Sequence, residues 1–184
     1  MGKAPYEEAN VATGNKTMNC YANWLVKSKK FIEDDAKRPK VLSAVDQPWE
    51  NSQQGRLRHI INEQLDLREY AVDMYIQEIP PGSKSGKHYH ASEEMLFILE
   101  GSGYDLHWDP KPRIEDKYYW EWKEQALKLP WSDSYFVYIP PLVVHQHFNA
   151  SKTEKARFIS NTCRTVKDIG YDWLVQLENC PEWK

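Results

Sequence analysis

The sequence predicts an all-β fold, built as an antiparallel barrel with a few flanking helices. Short runs of β-branched and aromatic residues recur along the chain, and turns that contain proline or glycine separate them. Helical spacing of apolar residues is confined to one stretch near each end of the sequence. With 184 residues and no internal repeat, the chain has the length of one domain, which we place at residues 1–184.

Residues 1–40 are expected to form an N-terminal arm and a helix. Thr17 or Asn19 can cap the helix, and apolar side chains recur at helical spacing over residues 21–32. The helix should end ahead of Pro39, because the residue before a proline avoids helical backbone angles. We expect this helix to pack outside the barrel or against a partner subunit.

The β-barrel is expected over residues 41–162. We predict two short strands around a turn, at 41–45 and 56–61, and a longer strand at 71–79. The longer strand alternates a polar face with an apolar face, and the pattern does not decide which of them points inward. If the polar face does, the Tyr75 hydroxyl can donate a hydrogen bond to a bound ligand, which makes Tyr75 a candidate catalytic residue. The alternative is an exposed amphipathic strand.

Residues 82–101 carry the densest set of potential metal ligands in the chain. His88 and His90 are two positions apart, so both imidazoles leave the same face of an extended strand. Glu94 follows after a short turn and begins the next β-prone run. That run brings a carboxylate back beside the two histidines, where all three side chains can bind one ion.

Residues 135–149 supply a second set of polar side chains on strands. A β-prone run at 135–139 ends in two prolines, and a returning strand follows at 143–149. In the returning strand, His145, His147 and Asn149 share one face. One histidine of this face can therefore reach the same ion.

Both stretches resemble the two sequence motifs of the cupin superfamily. In the first motif, the matching residues and their spacing are Gly82, five residues, His88, one residue, His90, three residues, Glu94, six residues and Gly101. In the second, they are Pro140, His145 and Asn149, while Ser134 and Leu142 stand where that motif usually has glycine. The resemblance covers residues 82–149 and implies a double-stranded β-helix, or jelly-roll, barrel. It also implies a metal site with four ligands, His88, His90, Glu94 and His145.

Three imidazoles and one carboxylate would hold a divalent ion with open coordination positions, as a reaction site does. The expected cofactor is iron(II), and manganese, nickel, zinc or copper would also suit these ligands. We predict a non-heme iron(II) dioxygenase whose partners are dioxygen and a small aromatic or oxygenated substrate chelated to the metal. The alternatives are a non-oxidative isomerase, decarboxylase or lyase, and a non-catalytic protein that binds a small molecule.

His147 is the second candidate catalytic residue. It lies two positions from His145 on the same strand face, where it could move a proton or hydrogen-bond a substrate oxygen. The alternative is that the twist of the strand turns it away from the metal. His59 and His107 are expected to lie outside the site, as isolated side chains that are hydrogen-bonded or exposed.

Two further segments carry weaker patterns. Residues 103–134 are longer than a hairpin needs and rich in tryptophan and tyrosine. These rings can stack on a flat substrate, but we favour packing against the N-terminal helix or a partner subunit. Alternation at 118–123 predicts an added strand. Residues 163–184 are expected to form a helical tail, because apolar residues there follow helical spacing.

The composition argues against several classes of protein. The net charge of -3 gives no basic surface for nucleic acid, and no apolar run approaches the length that spans a membrane. The three cysteines are scattered, so we predict neither a disulfide framework nor a thiolate metal site, and we expect a cytoplasmic protein. By analogy with cupins whose N-terminal strand pairs with a neighbouring subunit, we also expect a homodimer or a higher homo-oligomer.

Overall fold

The structure is a computed structural model that describes residues 19–171 and 174–184. The described residues divide into two compact units, on either side of the bond between Arg38 and Pro39. No helix in the described part of the chain is both long and apolar enough to cross a membrane.

The first unit contains helix α1 (Cys20–Asp35). It begins directly after Asn19 and ends ahead of Pro39, so the predicted helix and both of its limits are confirmed. The Asn19 side chain makes no capping hydrogen bond, and its backbone carbonyl accepts from the Asn23 N–H at 2.9 Å. Most of the predicted arm, including Thr17, lies outside the described residues.

In the second unit, the described residues form two large antiparallel sheets. The six-stranded sheet runs in the order β1 (Glu50–Ser52), β2 (Gly55–Ile61), β3 (Val72–Ile79), β12 (Ala156–Cys163), β5 (Glu94–Glu100) and β10 (Phe136–Ile139). The five-stranded sheet runs in the order β13 (Val175–Glu178), β4 (Lys87–Tyr89), β11 (Val144–Asn149), β6 (Ser102–Trp108) and β9 (Leu127–Ser132). A small hairpin joins β7 (Arg113–Ile114) to β8 (Tyr118–Tyr119), and a one-turn helix α2 (Thr165–Asp168) follows β12.

The apolar core is formed by residues of both large sheets. On β5, Leu96 and Ile98 are buried while Met95 and Leu99 are exposed, which is the alternation expected of a strand with one face on the core. Trp131 on β9 belongs to the same buried cluster, together with Ile79, Val137, Ile139, Val143, Ala156 and Phe158. The all-β architecture with few helices that the sequence predicts is therefore confirmed.

The first hairpin is formed by other residues than the sequence predicts. Residues 41–45 do not form a strand, and a turn of 3₁₀ helix at Ala44–Asp46 closes local hydrogen bonds instead. The hairpin lies between β1 and β2, where the Ser52 hydroxyl donates to the Gly55 carbonyl at 3.0 Å. Gly55 has a φ of 129°, which a residue with a side chain rarely adopts. The position of the tight turn, rather than the apolar run before it, determines which residues pair.

The prediction of a helical tail over residues 163–184 is wrong for its second half. Among the described residues of this range, only the single turn of α2 is helical, and Val175–Glu178 forms strand β13. This strand pairs with β4, with Val175 opposite Tyr89 and Gln176 opposite His88. Strand β4 would otherwise present unpaired backbone groups along one edge, and pairing satisfies them. This long-range pairing outweighs a helical period that spans only a few residues.

Two tight turns have the backbone conformation of glycine at the positions where the second motif usually has glycine. Ser134 has a φ of 68° and Leu142 a φ of 64°, both in the left-handed region. The Leu142 N–H donates to the carbonyl of His90 at 2.9 Å, so this turn contacts the segment that carries a predicted ligand. Ser134 and Leu142 therefore keep the loop conformation that glycine would adopt. Each adds backbone strain of about 1–2 kcal/mol.

Replacing Ser134 with glycine is expected to raise the free energy of unfolding by about 0.5–1 kcal/mol. Relief of the left-handed strain exceeds the entropy that glycine adds to the unfolded chain. The exposed Ser134 side chain has no packing to lose. Urea denaturation measures the change. The control is Ser134→Ala, which keeps the Cβ and should not raise the free energy of unfolding. Equal stabilities of the glycine and alanine variants would contradict the strain.

Candidate metal centre

The four implied metal ligands lie together inside the fold. His88 is on β4, His90 directly follows that strand, Glu94 is the first residue of β5, and His145 is on β11. All four side chains are buried, and Glu94 and His145 have no exposed surface. His145 pairs with His88 across the two strands, so the two imidazoles stand side by side on one face of the sheet.

The distances among these side chains fit a single ion. One donor atom from each residue lies within 4.8 Å of the donors of the other three. The Glu94 Oε2 atom is 3.0 Å from His90 Nε2 and 3.2 Å from His145 Nε2. Donors about 2.1 Å from a shared ion are about 3 Å apart when adjacent and about 4.2 Å apart when opposite. The cluster therefore has the spacing of a coordination sphere.

Backbone carbonyls orient two of the imidazoles. His145 Nδ1 is 2.9 Å from the Val143 carbonyl oxygen, and His90 Nδ1 is 2.7 Å from that of Ser92. A carbonyl oxygen only accepts, so each Nδ1 carries the proton and each Nε2 keeps a free lone pair. Those lone pairs face Glu94, which is the arrangement that a metal ligand needs.

The electrostatics of the cluster favour an ionised Glu94 and neutral imidazoles at His88 and His145. Burial, followed by the neighbouring histidines, holds the pKa of His88 well below its ordinary value, and burial also lowers the pKa of His145. Burial lowers the pKa of His90 as well, but the Glu94 carboxylate outweighs it and leaves that pKa raised. Burial raises the pKa of Glu94, but the adjacent imidazoles of His145 and His90 outweigh it, so the pKa of Glu94 lies well below its ordinary value.

Two buried nitrogens of the cluster support the fit to a metal. His145 Nε2 and His88 Nδ1 are buried without a hydrogen-bond partner, which is costly in a protein interior unless another ligand satisfies them. Imidazole and carboxylate donors suit a divalent ion of the first transition series. The residues present therefore fit a divalent metal, and they do not distinguish iron from manganese, nickel, zinc or copper.

Tyr75 and Ser160 hold the carboxylate ligand from two other strands of the same sheet. The Tyr75 hydroxyl on β3 donates to Glu94 Oε1 at 3.3 Å, and the Ser160 hydroxyl on β12 donates to the same oxygen. The polar face of β3 thus points inward, which settles the alternative left open by the sequence. Ser160 was not identified from the sequence, since a lone serine on a strand carries no local signal. Its role follows from the pairing of β12 with β5.

A cavity of about 330 Å³ opens onto the cluster. Its wall includes the ligands His88 and His90, and Tyr75 contributes to it as well. His59, which we expected outside the site, also lines this cavity, and its Nε2 lies 2.8 Å from Glu50 Oε2. The cluster is thus accessible to a small molecule from one side.

His147 shares the inward face of β11 with His145, as predicted, with 5.4 Å between the two ring centres. It is fully buried and packs against Phe158, and it is not among the described residues that line the cavity. Its Nδ1 atom is 3.0 Å from Asp105 Oδ1. The catalytic role assigned to His147 from the sequence stays a prediction.

Asp105 and His107 form a second buried polar group beside the metal ligands. Asp105 has no exposed surface, accepts from the Trp131 indole N–H at 2.8 Å, and lies 3.5 Å from His107 Nε2 through its other oxygen. His107 is opposite His145 in the pairing of β6 with β11 and is buried rather than exposed. The expectation that His107 is isolated is therefore wrong. The alternation of Gly103, Asp105 and His107 on one face of β6 was the signal available.

Several aromatic residues of 103–134 pack on the barrel. The Trp122 indole N–H donates to the Leu142 carbonyl at 2.9 Å, and its ring contacts Tyr89. The ring of Tyr104 stacks on Phe148 with centres 4.8 Å apart. No aromatic residue of this segment lines the described wall of the cavity, so its rings support the turns around the site rather than a flat ligand.

Solved structures with the same fold include enzymes that act on oxalate. An oxalate decarboxylase matches with a TM-score of 0.56 and 15% identity, over 95% of this chain and 43% of its own. The oxalate decarboxylase of Lactobacillus farciminis matches with a TM-score of 0.52 and 11% identity, over 66% of this chain and 32% of its own. An oxalate oxidase matches with a TM-score of 0.50 and 16% identity, over 66% of this chain and 58% of its own.

These matches show a shared fold and confirm the double-stranded β-helix expected from the two motifs. The chain spans 32% to 43% of the length of these decarboxylase chains, so it corresponds to a part of each. No protein-family model and no curated protein sequence matches this chain. The assignment of function therefore depends on the geometry of the site itself.

Proposed function

Since the chain has the cupin fold and buries three histidines and a glutamate together inside it, we propose that it is a metal-dependent enzyme. We further propose the activity of a non-heme iron(II) dioxygenase. The substrate would be a small aromatic or oxygenated molecule that binds the metal through two oxygen atoms.

The observation that carries this proposal is the cavity that reaches two members of the cluster, His88 and His90. A structural metal is enclosed by its protein ligands, whereas a catalytic one keeps positions open to substrate. Four protein ligands leave two positions free on a six-coordinate ion, and the cavity reaches the cluster through His88 and His90. The cavity volume of about 330 Å³ lies within the range of sites for small organic ligands.

Iron(II), held by His88, His90, Glu94 and His145, would supply the redox chemistry that lets dioxygen react with a chelated substrate. In the proposed reaction both atoms of dioxygen would enter the products as one carbon–carbon bond breaks, and the substrate would supply the electrons, so no further reductant would be needed. The residues of the chain contribute orientation: Glu94 is held by Tyr75 and Ser160, and the imidazoles by backbone carbonyls. Tyr75 also lines the cavity, so the residue that orients Glu94 lies beside the space that a substrate would occupy.

Metal analysis followed by oxygen uptake tests the proposal. Protein purified without added metal is analysed for bound ions, then loaded with iron(II) and mixed with catechols, hydroxyacetophenones, diketones and hydroxy acids in an oxygen electrode cell. Uptake that depends on one substrate class supports a dioxygenase. Turnover without uptake would indicate isomerase, decarboxylase or lyase chemistry, and protein that binds no divalent ion under any loading condition would contradict the metal centre.

Replacing Tyr75 with phenylalanine is expected to leave the metal content unchanged and to lower turnover by about 10- to 100-fold. Removing a hydrogen bond to a charged group costs about 1.5–3 kcal/mol, and this one orients the carboxylate ligand. Burial, followed by the nearby Glu94, raises the pKa of Tyr75 well above its ordinary value, so the hydroxyl keeps its proton at neutral pH. Steady-state kinetics and metal analysis measure the two effects.

The matched control is Tyr138→Phe. Tyr138 is exposed and donates to the carboxylate of Glu93 at 3.1 Å, so the same bond is lost away from the cavity. This variant should keep wild-type turnover. Equal turnover of the two variants would show that Tyr75 does not act on the reaction.

A further inference from the structure

His59 and Glu50 form a hydrogen-bonded pair at the wall of the cavity that reaches the metal cluster. His59 lies on β2 and lines that cavity, and it also lines a second cavity of about 200 Å³ whose wall includes Glu50. The His59 Nε2 atom is 2.8 Å from Glu50 Oε2. Glu50 is not among the described residues that line the first cavity. The imidazole therefore faces the space beside the metal cluster, and its carboxylate partner lies outside that space.

The carboxylate determines which nitrogen of His59 can take up a proton. A carboxylate only accepts hydrogen bonds, so in the neutral imidazole the proton is on Nε2 and the free lone pair is on Nδ1. The side chain of His59 is 36% exposed, and its Nδ1 atom has no hydrogen-bond partner among the described residues and is not sealed from solvent. A histidine that accepts protons in catalysis has this arrangement, with one nitrogen oriented by a third group and the other free.

His59 lies close enough to the metal ligands for one small molecule to contact both. In the pairing of β2 with β3, His59 is opposite Tyr75, so both side chains point to the inner face of the sheet. Their ring centres are 6.0 Å apart, and the Tyr75 hydroxyl is 3.3 Å from Glu94 Oε1. His88 and His90 line the same cavity of about 330 Å³, a volume near the lower end for sites of small organic ligands. A ligand that fills this cavity therefore reaches the metal on one side and His59 on another.

The other charged side chains of the cavity wall are already paired. Lys167 Nζ is 3.6 Å from the carboxylate of Glu63, and the carboxylate of Asp73 is 3.4 Å from Arg164. Among the described residues of the wall that are not metal ligands, His59 is the one that keeps a neutral nitrogen with a free lone pair. Histidine is also the side chain that ordinarily changes charge between pH 5 and pH 8, so it can take up a proton and return it near neutral pH.

We propose that His59 is a catalytic residue that accepts a proton from a hydroxyl of the bound substrate, directly or through one water, and that Glu50 is its positioning residue. The inference rests on the function proposed above and adds the proton acceptor of that site. The O–H bond of the substrate breaks, an N–H bond forms at Nδ1, and the imidazolium is paired with the Glu50 carboxylate. The electron pair stays on the substrate oxygen, which makes that oxygen a better donor to a divalent ion. No oxidant or reductant takes part in this step.

Counting protons on ligand binding tests the inference without turnover. The protein is loaded with zinc, which has no redox chemistry, and catechol is titrated in a calorimeter at about pH 8, where most histidines are neutral. The same titration in two buffers of different ionisation enthalpy gives the number of protons released to the buffer for each catechol bound. The wild type should release about 0.5 to 1 proton fewer than His59→Gln, because the imidazole keeps one of the protons that catechol loses. Equal proton release by the two proteins would overturn the inference.

Three further variants complete the test. His59→Asn should match His59→Gln, which covers the case that the glutamine variant folds poorly. Glu50→Gln keeps an acceptor for Nε2 but removes the charge, so its proton release should lie between those of the wild type and His59→Gln. Release equal to the wild type would overturn the role of Glu50. The matched control is Asp73→Asn, which removes a carboxylate of the same wall and should match the wild type. A change in Asp73→Asn without one in His59→Gln would overturn the inference in favour of Asp73.

The zinc content of each protein separates the two levels of the proposal. Every variant should bind one zinc ion per chain, because the substituted residues lie outside the metal cluster. Wild type that binds no zinc would contradict the metal centre and the inference together. Wild type that binds zinc but no catechol, or that binds catechol with the same proton release as His59→Gln, would leave the metal centre intact and overturn the inference alone.

Discussion

Replacing His145 with alanine is expected to abolish metal binding. The side chain is fully buried, and its Nε2 lies 3.2 Å from the carboxylate of Glu94 with no hydrogen-bond partner of its own. Loss of a residue that only supports a ligand costs about 10- to 100-fold in metal affinity, so loss of a ligand should cost more. Equilibrium dialysis followed by elemental analysis measures the affinity and the number of ions per chain.

Thermal unfolding gives an independent measurement of the same variant. A bound ion stabilises the native state by about 2.7 kcal/mol when its free concentration is 100 times its Kd. Added metal should therefore raise the Tm of the wild type and leave that of His145→Ala unchanged. His59→Ala is the matched control, because His59 lines the cavity without belonging to the cluster, and it should keep both the ion and the shift in Tm. A His145 variant with unchanged affinity would contradict the site.

The ligand set was predictable from sequence because its information is mostly local. His88, His90 and Glu94 lie within seven consecutive positions, and the period of a strand places the two imidazoles on one face. His145 needed a second stretch, and the resemblance to the cupin motifs supplied it. The pairing of His145 with His88 across β11 and β4 is the physical reason for that second stretch.

The supporting residues were not predictable, because their positions depend on which strands pair. Ser160 reaches Glu94 only because β12 lies beside β5, and Asp105 reaches His147 only because β6 lies beside β11. Alternation along one strand says which residues share a face and not which strand comes next to it. The C-terminal tail shows the same limit. Its apolar residues have helical spacing, but Val175–Glu178 forms a strand that pairs with the free edge of β4.

Replacing Asp105 with alanine is expected to lower the free energy of unfolding of the metal-free protein by about 3–5 kcal/mol. Removing one partner of a buried ion pair leaves the other without compensation, and here Asp105 is the shared partner of His147, His107 and Trp131. Asp105→Asn keeps an oxygen for the Trp131 indole and should lose less, about 1–3 kcal/mol. Asp109→Ala removes an exposed carboxylate paired with Lys123 and should cost no more than about 1 kcal/mol.

The contribution of Asp105 to stability should also depend on pH. Burial raises the pKa of Asp105, but His147 and His107 outweigh it, so the pKa in the folded protein lies well below the value of about 3.9 in an unfolded chain. A group whose pKa is lowered by folding contributes fully above its unfolded pKa, and the contribution is lost as the pH falls through the folded pKa. The difference in stability between wild type and Asp105→Asn should therefore shrink below about pH 4. Burial lowers the pKa of His147, but Asp105 outweighs it and leaves that pKa raised, so the difference should also shrink as the pH rises through the raised pKa of His147. Guanidinium denaturation at several pH values measures it. A difference that grows as the pH falls below about 4 would show that the carboxylate is protonated in the native protein and that no charge holds this buried group beside the metal ligands.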